Sequence, residues 1–233
     1  MRKNIGFVST RFAGTMKENL ESSKWADILE QNGHRCFWFA GALDRKPDDS
    51  LHVPEAHFQH PYNIGNGAAI KSGIRVATGD ILVFMDGDGQ HDPEDIGEML
   101  KYFPEYDMVV GARSARGQTS IARAFGNMVY NRFASYAANF NIKDLTSGFR
   151  AVKANIARGF LYLLPNTYSY PTTLTLGVLR SGGSVKYIPI RIHKRKKGSS
   201  KVKLMQDGVR FFMIIIRIAT LYSKGKTGRG SLW

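Results

Sequence analysis

Two carboxylates separated by one small residue end a short apolar segment near the middle of the chain. The segment Ile81–Met85 is followed by Asp86, Gly87 and Asp88, and Gln90 continues the same spacing. In an extended chain, residues i and i+2 project to the same side, so these three oxygen-bearing side chains can be aimed at one point. Oxygen ligands with open positions suit Mg²⁺ or Mn²⁺ bound together with a phosphate. The spacing predicts a divalent-metal and phosphate site; the alternative is a solvated Asp/Gly turn.

The elements that would carry this site follow from the apolar periodicity. Strand patterns alternate with helical patterns through the first half of the chain, which is typical of a parallel sheet with crossover helices. We predict strands at 4–10, 35–40, 80–86, 107–112, 147–153 and 184–193. We predict helices at 17–32, 66–77, 93–103, 120–139, 154–163, 172–181 and about 201–222. The expected fold class is α/β, a Rossmann-like and mostly parallel sheet flanked by helices. Asp92 is expected to cap the helix that Pro93 begins.

Length and composition favour a cytoplasmic protein with one α/β domain, or with one domain and an appendage. The 233 residues, 43% of them hydrophobic, are enough for a sizeable core. The single cysteine, Cys36, cannot form an internal disulfide, which fits a reducing compartment. The N-terminal apolar stretch is too short for a signal peptide, and no run of about 18 apolar residues is present. We therefore expect any membrane association to be peripheral.

The positive charge is concentrated in the last quarter of the chain. Fourteen Lys and Arg residues but one acidic residue lie between Arg180 and Trp233, which accounts for +13 of the net charge of +14. This asymmetry indicates a polyanionic partner, either an acidic membrane surface, a phosphorylated lipid or a nucleic acid. No nucleic-acid-binding motif accompanies the charge, so nucleic acid is not the expected partner.

The predicted C-terminal helix combines a basic stripe with an apolar block at 211–216. A seven-residue step drifts by about 20° around an α-helix, so residues at that spacing share one face. The stripe consists of Lys203, Arg210, Arg217 and Lys224. Amphipathic basic helices of this kind are typical of membrane interfaces. The alternative is a core helix with a solvated polar face, but the apolar block covers more than one face and favours an anionic membrane surface or a partner.

Six motifs occur in a fixed order over about 60–222. They are His60–Ala69, Gly79–Asp80, Asp86–Asp95, Val109–Arg113, Asp144–Arg150 and Arg195–Lys201. Together they resemble the family 2 glycosyltransferases, and within that family the dolichol-phosphate and polyprenyl-phosphate mannose and glucose synthases. The resemblance implies a GT-A fold and transfer of a hexose from a nucleotide sugar to a polyprenyl phosphate, with inversion at the anomeric carbon.

The resemblance also assigns the donor site. It implies that Asp86, Asp88 and Gln90 hold the Mg²⁺ or Mn²⁺ that bridges the diphosphate of the nucleotide sugar, and that Asp88 belongs to the catalytic set. It implies that Gly65 and Gly67 let the backbone approach the nucleotide. The alternative for this Gly-x-Gly is a turn at the start of a helix.

Basic and acidic residues farther along the chain match the family's catalytic and acceptor positions. Arg113 corresponds to a basic residue near the sugar phosphate or the acceptor phosphate; the alternative is a surface ion pair. Asp144 would orient a substrate, or act as a base for a hydroxyl acceptor, whereas a phosphate acceptor is already an anion and needs no base. Arg195, Ser200 and Lys201 match the loop that grips the acceptor phosphate; the alternative is a solvated basic hairpin.

The first 60 residues depart from the family pattern. They lack its Pro-x-Tyr-Asn-Glu turn and its Asp-Asp-Gly-Ser strand end, and resemble instead the opening βαβ unit of family 4, GT-B-type glycosyltransferases. One interpretation is that this unit substitutes for the missing strands; the other is an inactive fusion or truncation product. We therefore divide the chain into an atypical N-terminal segment at 1–60, a catalytic domain at 61–200, and an amphipathic helix with a basic tail at 201–233.

Two functions follow from these patterns. The first is a metal-dependent inverting glycosyltransferase that moves a hexose from a nucleotide sugar to a polyprenyl phosphate at the membrane surface. The second is a catalytically inactive relative that keeps its basic surface as a lipid-phosphate-binding module. Binding of a nucleotide sugar separates them, because the second function predicts none.

Overall fold

The computed structural model describes residues 4–9, 31, 35–40, 65–86, 90–92, 94–113, 121–167, 169–193 and 212–220. Its strands are β1 (Asn4–Ser9), β2 (Arg35–Ala40), β3 (Ile81–Met85), β4 (Met108–Arg113), β5 (Arg150–Lys153) and β6 (Val185–Ile190). Its helices are α1 (Asn66–Val76), α2 (Glu94–Leu100), α3 (Ile121–Ala138), α4 (Ala154–Gly159), α5 (Tyr170–Arg180) and α6 (212–220).

Most predicted elements are present within one to three residues of their expected ends. The cap is also confirmed, because the Glu94 backbone N–H donates to Asp92 Oδ1 at 3.1 Å. The strand expected at 147–153 is wrong at its start, since β5 begins at Arg150. Its expected first residues form a turn in which the Ser147 hydroxyl accepts a hydrogen bond from the Phe149 backbone N–H at 3.3 Å. The helices expected at 93–103 and 154–163 end earlier, at Leu100 and Gly159.

The six described strands form one mixed sheet in the order β2-β1-β3-β5-β4-β6. All neighbouring strands are parallel except β5, which is antiparallel to both β3 and β4. The amino-terminal end of β5 therefore lies between the carboxyl-terminal ends of β3 and β4. This arrangement brings Asp86, Arg113 and the loop that precedes Arg150 to one edge of the sheet.

The N-terminal strands complete this same sheet. β1 pairs in parallel with β2 on one side and with β3 on the other, with Ile5 opposite Ile81 and Ser9 opposite Met85. This pairing agrees with the interpretation that the N-terminal βαβ unit substitutes for the missing family strands. The helix expected at 17–32 lies outside the described residues except for Gln31, which is helical.

Two apolar layers cover the two faces of the sheet. Alternate residues of β3 point to opposite faces, so Leu82 and Phe84 join one core with α1, α4, α5 and α6, while Val83 joins the other with α2. All five β3 residues are buried, as expected for a strand covered on both sides. Within α6, Ile215 and Ile218 are buried in the first core.

Phe84→Ala tests the central position of β3. The Phe84 side chain is fully buried and lies with its ring 6.1 Å from that of Tyr170. We expect a loss of about 3–5 kcal/mol in the free energy of unfolding, because truncation leaves a cavity in a packed core. Phe125→Ala is the matched control, since Phe125 is 63% exposed, and it should cost less than about 0.5 kcal/mol. Urea unfolding of both variants measures the difference, and equal losses would contradict the assigned core.

Candidate active site

Asp86 follows β3 directly and packs against the loop that leads into β5. A Cβ added to Gly148 would lie 2.6 Å from Asp86 Oδ2, so only glycine allows this approach. The buried Tyr170 hydroxyl donates to the Gly148 carbonyl at 3.4 Å. Burial raises the pKa of Tyr170 above its ordinary value, and the negative charge of Asp86 raises it further. Tyr170 therefore stays a neutral donor beneath the carboxylate.

Arg113, the last residue of β4, forms a bidentate ion pair with the buried Asp144. Arg113 Nε donates to Asp144 Oδ2 at 2.7 Å, and Nη2 donates to Oδ1 at 2.9 Å. Nη2 also donates to the Thr146 hydroxyl at 2.7 Å, and the Arg113 backbone N–H donates to Asp144 Oδ2 at 3.2 Å. Both carboxylate oxygens of Asp144 thus accept hydrogen bonds from Arg113, and the guanidinium plane is fixed by a matched pair of bonds.

Helix α3 holds the backbone that carries Asp144. Asn131 Nδ2 donates to the Lys143 carbonyl at 2.8 Å, and its Oδ1 accepts from the Leu145 backbone N–H at 2.9 Å. One turn further on, the Ser135 hydroxyl accepts from the Ile142 backbone N–H at 3.0 Å. The position of Asp144 is therefore set by a helix rather than by its own loop.

Arg150 is a fully buried cation beneath this edge of the sheet. Its Nε donates to the Ser147 carbonyl at 3.1 Å, and its Nη1 donates to the Pro171 carbonyl at 2.8 Å and the Thr175 hydroxyl at 2.9 Å. Burial lowers the pKa of the Arg150 guanidinium, whereas the negative charges of Asp144 and Asp86 raise it. Arg150 thus ties the loop to the start of α5 and offsets the charge of the two carboxylates.

Gln90 pairs with His193, a residue just beyond the end of β6. Gln90 Nε2 donates to the His193 carbonyl at 3.2 Å, and the His193 backbone N–H donates to the Gln90 carbonyl at 3.0 Å. A carbonyl oxygen only accepts, so the hydrogen bond assigns the amide nitrogen of Gln90 to the His193 side. The amide oxygen therefore faces away from His193, as a metal ligand would require.

Gly65 and Gly67 meet the protein backbone itself. Gly65 precedes α1 with φ +102°, and an added Cβ would collide with the Asn166 carbonyl. A Cβ on Gly67 would collide with the Pro165 carbonyl, and the Gly67 N–H donates to the Asn166 carbonyl at 3.1 Å. The close backbone contacts at the start of α1 therefore explain why glycine occupies both positions. The approach of these glycines to a nucleotide stays a prediction.

The structure places part of the predicted set at one sheet edge. Asp86, Gln90, Arg113 and Asp144 all follow or flank the carboxyl-terminal ends of β3, β4 and β6. Gly65 and Gly67 lie apart from these four at the start of α1. Asp88, Arg195, Ser200 and Lys201 lie outside the described residues, and the roles of all ten predicted residues stay predictions. Within the described ranges, no group of three or more His, Cys, Asp and Glu residues is placed to hold a metal ion.

Sequence reasoning missed three residues that organise this edge, namely Asn131, Arg150 and Tyr170. Asn131 gave no local signal, because its partners lie more than ten residues away. Arg150 offered one: a charged residue that begins a strand otherwise buried on both faces requires internal hydrogen-bond partners.

A mixed α/β sheet with polar side chains gathered at the carboxyl-terminal ends of its strands is typical of α/β proteins, which bind their ligands at that edge. Residues 54–160 match the sequence model of the family described as Glycosyl transferase family 2. This segment, somewhat less than half of the chain, is thus similar to the family 2 glycosyltransferases.

Two curated relatives of the chain are named for transfer of mannose to a polyprenyl phosphate. The undecaprenyl-phosphate mannosyltransferase of Micrococcus luteus is 28% identical over 159 residues, which cover 64% of this chain and 65% of the relative. The polyprenol monophosphomannose synthase of Mycolicibacterium smegmatis is 28% identical over 129 residues, which cover 52% of this chain and 49% of the relative. The chain thus spans between about half and two thirds of the length of these two relatives.

The solved structures that resemble the chain have the GT-A fold. Glucosyl-3-phosphoglycerate synthase from Mycobacterium tuberculosis, in complex with Mn²⁺ and UDP-glucose, superimposes with a TM-score of 0.66 at 13% identity. The alignment covers 94% of this chain and 79% of that one. The predicted fold class, an α/β GT-A-like sheet flanked by helices, is confirmed.

Gly148→Ala tests the contact between Asp86 and the β5 loop. The added methyl group would displace the Asp86 carboxylate, so we expect Mn²⁺-dependent binding of UDP or GDP to weaken at least about tenfold. Gly97→Ala is the matched control, because Gly97 lies in α2 and an added Cβ meets nothing within 4 Å. That control should keep nucleotide binding and gain about 0.5–1 kcal/mol in stability. Calorimetric titration measures both, and wild-type affinity in Gly148→Ala would contradict the assigned role of Asp86.

Proposed function

We propose that this protein is a metal-dependent inverting glycosyltransferase that moves a hexose from a nucleotide sugar to a polyprenyl phosphate at a membrane surface. The observation that carries the proposal is the meeting of Asp86, Gln90 and the Arg113–Asp144 pair at one edge of a GT-A sheet. The curated relatives, which are named for mannose transfer to polyprenyl phosphates, support the same donor and acceptor classes.

A Mg²⁺ or Mn²⁺ ion would be held by Asp86, Asp88 and Gln90. The residues fit this role for two reasons. Gly148 has no side chain that would displace the Asp86 carboxylate from the sheet edge. The hydrogen bond from Gln90 Nε2 to the His193 carbonyl turns the amide oxygen of Gln90 away from that carbonyl. Oxygen donors are the ligands that these hard cations take. When bound, the ion neutralises charge that develops on the departing nucleoside diphosphate.

The Arg113–Asp144 pair would supply a fixed positive group to the substrate phosphates. Asp144 accepts two side-chain hydrogen bonds from Arg113 and is buried, so it serves to orient that guanidinium. A phosphate acceptor is already ionised at neutral pH, and its oxygen attacks the anomeric carbon without a general base. Asp144 is therefore a positioning residue in this proposal, and Arg113 is the group that meets the phosphate.

The acceptor would approach from a membrane surface that contacts α3 and α6. A groove of about 1140 Å³ runs beside these helices and is lined largely by apolar side chains, including Met128, Phe140 and Phe212. Exposed apolar residues continue onto α6, where Met213 is 63% exposed. Together with the basic C-terminal quarter, this surface suits peripheral contact with anionic lipid. No helix among the described residues has the length and hydropathy to cross a bilayer.

Asp88→Ala tests the proposed chemistry. We expect loss of at least about 10²-fold in sugar transfer from UDP-glucose or GDP-mannose to undecaprenyl phosphate, because the diphosphate loses its electrostatic partner. EDTA should abolish the same activity in the wild type, and Mn²⁺ or Mg²⁺ should restore it. Glu98→Ala is the control, since Glu98 pairs with Lys101 on the surface of α2.

Preserved turnover in Asp88→Ala would refute the assigned metal site. A folded wild type that binds none of the nucleotide sugars, yet binds polyprenyl phosphate, would favour the inactive lipid-phosphate-binding module.

The combined variant Met213→Ser and Ile216→Ser tests the membrane surface. These two exposed side chains should insert into the lipid interface, so their loss should weaken binding to phosphatidylglycerol vesicles about tenfold. Tyr162→Ser is the control, because Tyr162 is 78% exposed but belongs to neither α3 nor α6. Co-sedimentation at several salt concentrations measures the effect. Equal binding by the two variants would exclude α6 from the membrane contact.

A further inference from the structure

One side chain of helix α3 holds the residues on both sides of Asp144. Asn131 Nδ2 donates to the Lys143 carbonyl at 2.8 Å, and Asn131 Oδ1 accepts from the Leu145 backbone N–H at 2.9 Å. Asp144, between these two contacts, accepts the two side-chain hydrogen bonds of Arg113. The amide of Asn131 is therefore a clamp across Asp144, and we call these two hydrogen bonds the Asn131 clamp.

A neighbouring flank of α3 carries a stripe of exposed side chains. Its members recur at positions i, i+3, i+4, i+7 and i+11, so they share one face of the helix. The members of this outer stripe are Phe125, Met128, Val129, Arg132 and Tyr136. Successive helical residues are about 100° apart, so Asn131 lies on the flank next to that of Arg132. One helix thus presents the clamp to the site and the outer stripe to solvent.

An anionic lipid surface fits the outer stripe. Four of its five members are apolar or aromatic, and the fifth is a cation. The adjoining helix α6, whose Phe212 ring lies 5.3 Å from that of Phe133, exposes Met213, Ile216 and Arg217. Neither α3 nor the segment 212–220 contains an acidic residue. Exposed apolar groups interspersed with cations, and without anions, are suited to bind an anionic membrane interface.

Helix α3 is weakly anchored in the core. Among its side chains described at 125–138, Ala134 is the one that is buried, whereas α5 buries every residue from Tyr170 to Val178. Segments with few buried apolar contacts open at a low cost in free energy. A surface that binds the closed, helical form of α3 better than its open form therefore stabilises the helix. The Asn131 clamp depends on that helical form.

We infer that contact of α3 with an anionic lipid surface regulates the site, and that Asn131 is the positioning residue that transmits this contact. With the outer stripe on lipid, α3 stays helical, the clamp holds both neighbours of Asp144, and the bidentate bond to Arg113 keeps its geometry. When α3 opens, the clamp is lost and the guanidinium is held less firmly. This inference rests on the proposed function and deepens it, because it makes sugar transfer faster on a membrane than in solution.

Hydrogen exchange at the Leu145 amide reports on the clamp directly, because that N–H donates to Asn131 Oδ1. We expect phosphatidylglycerol vesicles to slow this exchange at least about fivefold in the wild type. In Asn131→Ala the acceptor is gone, so the amide should exchange faster and vesicles should slow it by less than about twofold. Asn141→Ala is the matched control, because Asn141 is exposed in the same loop. Its response to vesicles should equal that of the wild type.

The combined variant Phe125→Ser and Met128→Ser removes part of the outer stripe and leaves the clamp intact. Without vesicles its Leu145 exchange should match the wild type, since both replaced side chains are exposed. With vesicles its protection should be lost. Tyr162→Ser is the control, because Tyr162 is exposed outside α3 and α6, and it should keep the full protection.

Sugar transfer to geranyl phosphate, a short acceptor that does not need a membrane to dissolve, measures the effect on the site. Vesicles should raise kcat at least about fivefold in the wild type and in Tyr162→Ser. They should raise it less than about twofold in Asn131→Ala and in the stripe variant. A residue with a merely structural role would lower kcat without removing its response to vesicles.

Exchange of the β3 amides, measured on the same samples, shows whether the sheet of each variant is folded. If Asn131→Ala does not fold, Asn131→Asp gives the same comparison. Its side chain keeps the size of asparagine but places a carboxylate oxygen against the Lys143 carbonyl, in place of the donor.

Three results would overturn the inference. One is equal protection of the Leu145 amide by vesicles in the wild type and in the Asn131 variant that folds. Another is a wild type that does not bind the vesicles. The third is exchange that slows with rising protein concentration and does not respond to vesicles, which would assign the outer stripe to a second copy of the chain.

The outcomes also separate the inference from the proposed function. A wild type that transfers no sugar, but whose Leu145 exchange slows on vesicles and does so through Asn131, refutes the enzyme and keeps the inference. A wild type that transfers sugar at the same rate with and without vesicles, with unchanged Leu145 exchange, keeps the enzyme and refutes the inference.

Discussion

The arrangement of the site depends on the hydrogen bonds made by the buried guanidinium of Arg150. A charge taken out of water is costly unless hydrogen bonds and opposite charges compensate it. Arg150 meets this requirement with the carbonyls of Ser147 and Pro171, the Thr175 hydroxyl, and the nearby charges of Asp86 and Asp144. These partners come from three parts of the site edge, namely the residue after β3, the loop before β5 and the first turns of α5, so satisfying one cation holds those parts in register.

The antiparallel insertion of β5 explains why such a cation is needed. β5 lies between β3 and β4 and runs antiparallel to both. The loop that precedes β5 therefore lies at the carboxyl-terminal ends of β3 and β4, where substrates bind in α/β proteins. The loop brings Asp144 toward Arg113 and lays Gly148 against Asp86. Two carboxylates gathered in a partly buried region repel each other, and Arg113 and Arg150 together offset that repulsion.

Local sequence patterns predict the elements better than they predict the contacts between them. The apolar periodicity predicts strands and helices near their observed positions, and Asp92 is predictable as a cap because capping acts over three residues. The direction of β5 and the pairing of Gln90 with His193 have no such local signal, since they join residues far apart in the chain. The Gly65 and Gly67 contacts with Pro165 and Asn166 were hidden for the same reason.

Completion of a sheet and recognition of a nucleoside make different demands on a sequence. A neighbouring strand must supply backbone hydrogen bonds in register and an apolar surface, which many sequences can do. Base recognition needs particular side chains at particular places. In this chain β1 pairs with β3 over Ile5 to Ser9 although the family's usual N-terminal motifs are absent. The fold is therefore compatible with an unusual N-terminus. In the proposed enzyme, the residues at the carboxyl-terminal ends of β3 and β4 would hold the diphosphate and its metal, and these donor contacts would not depend on the N-terminal motifs.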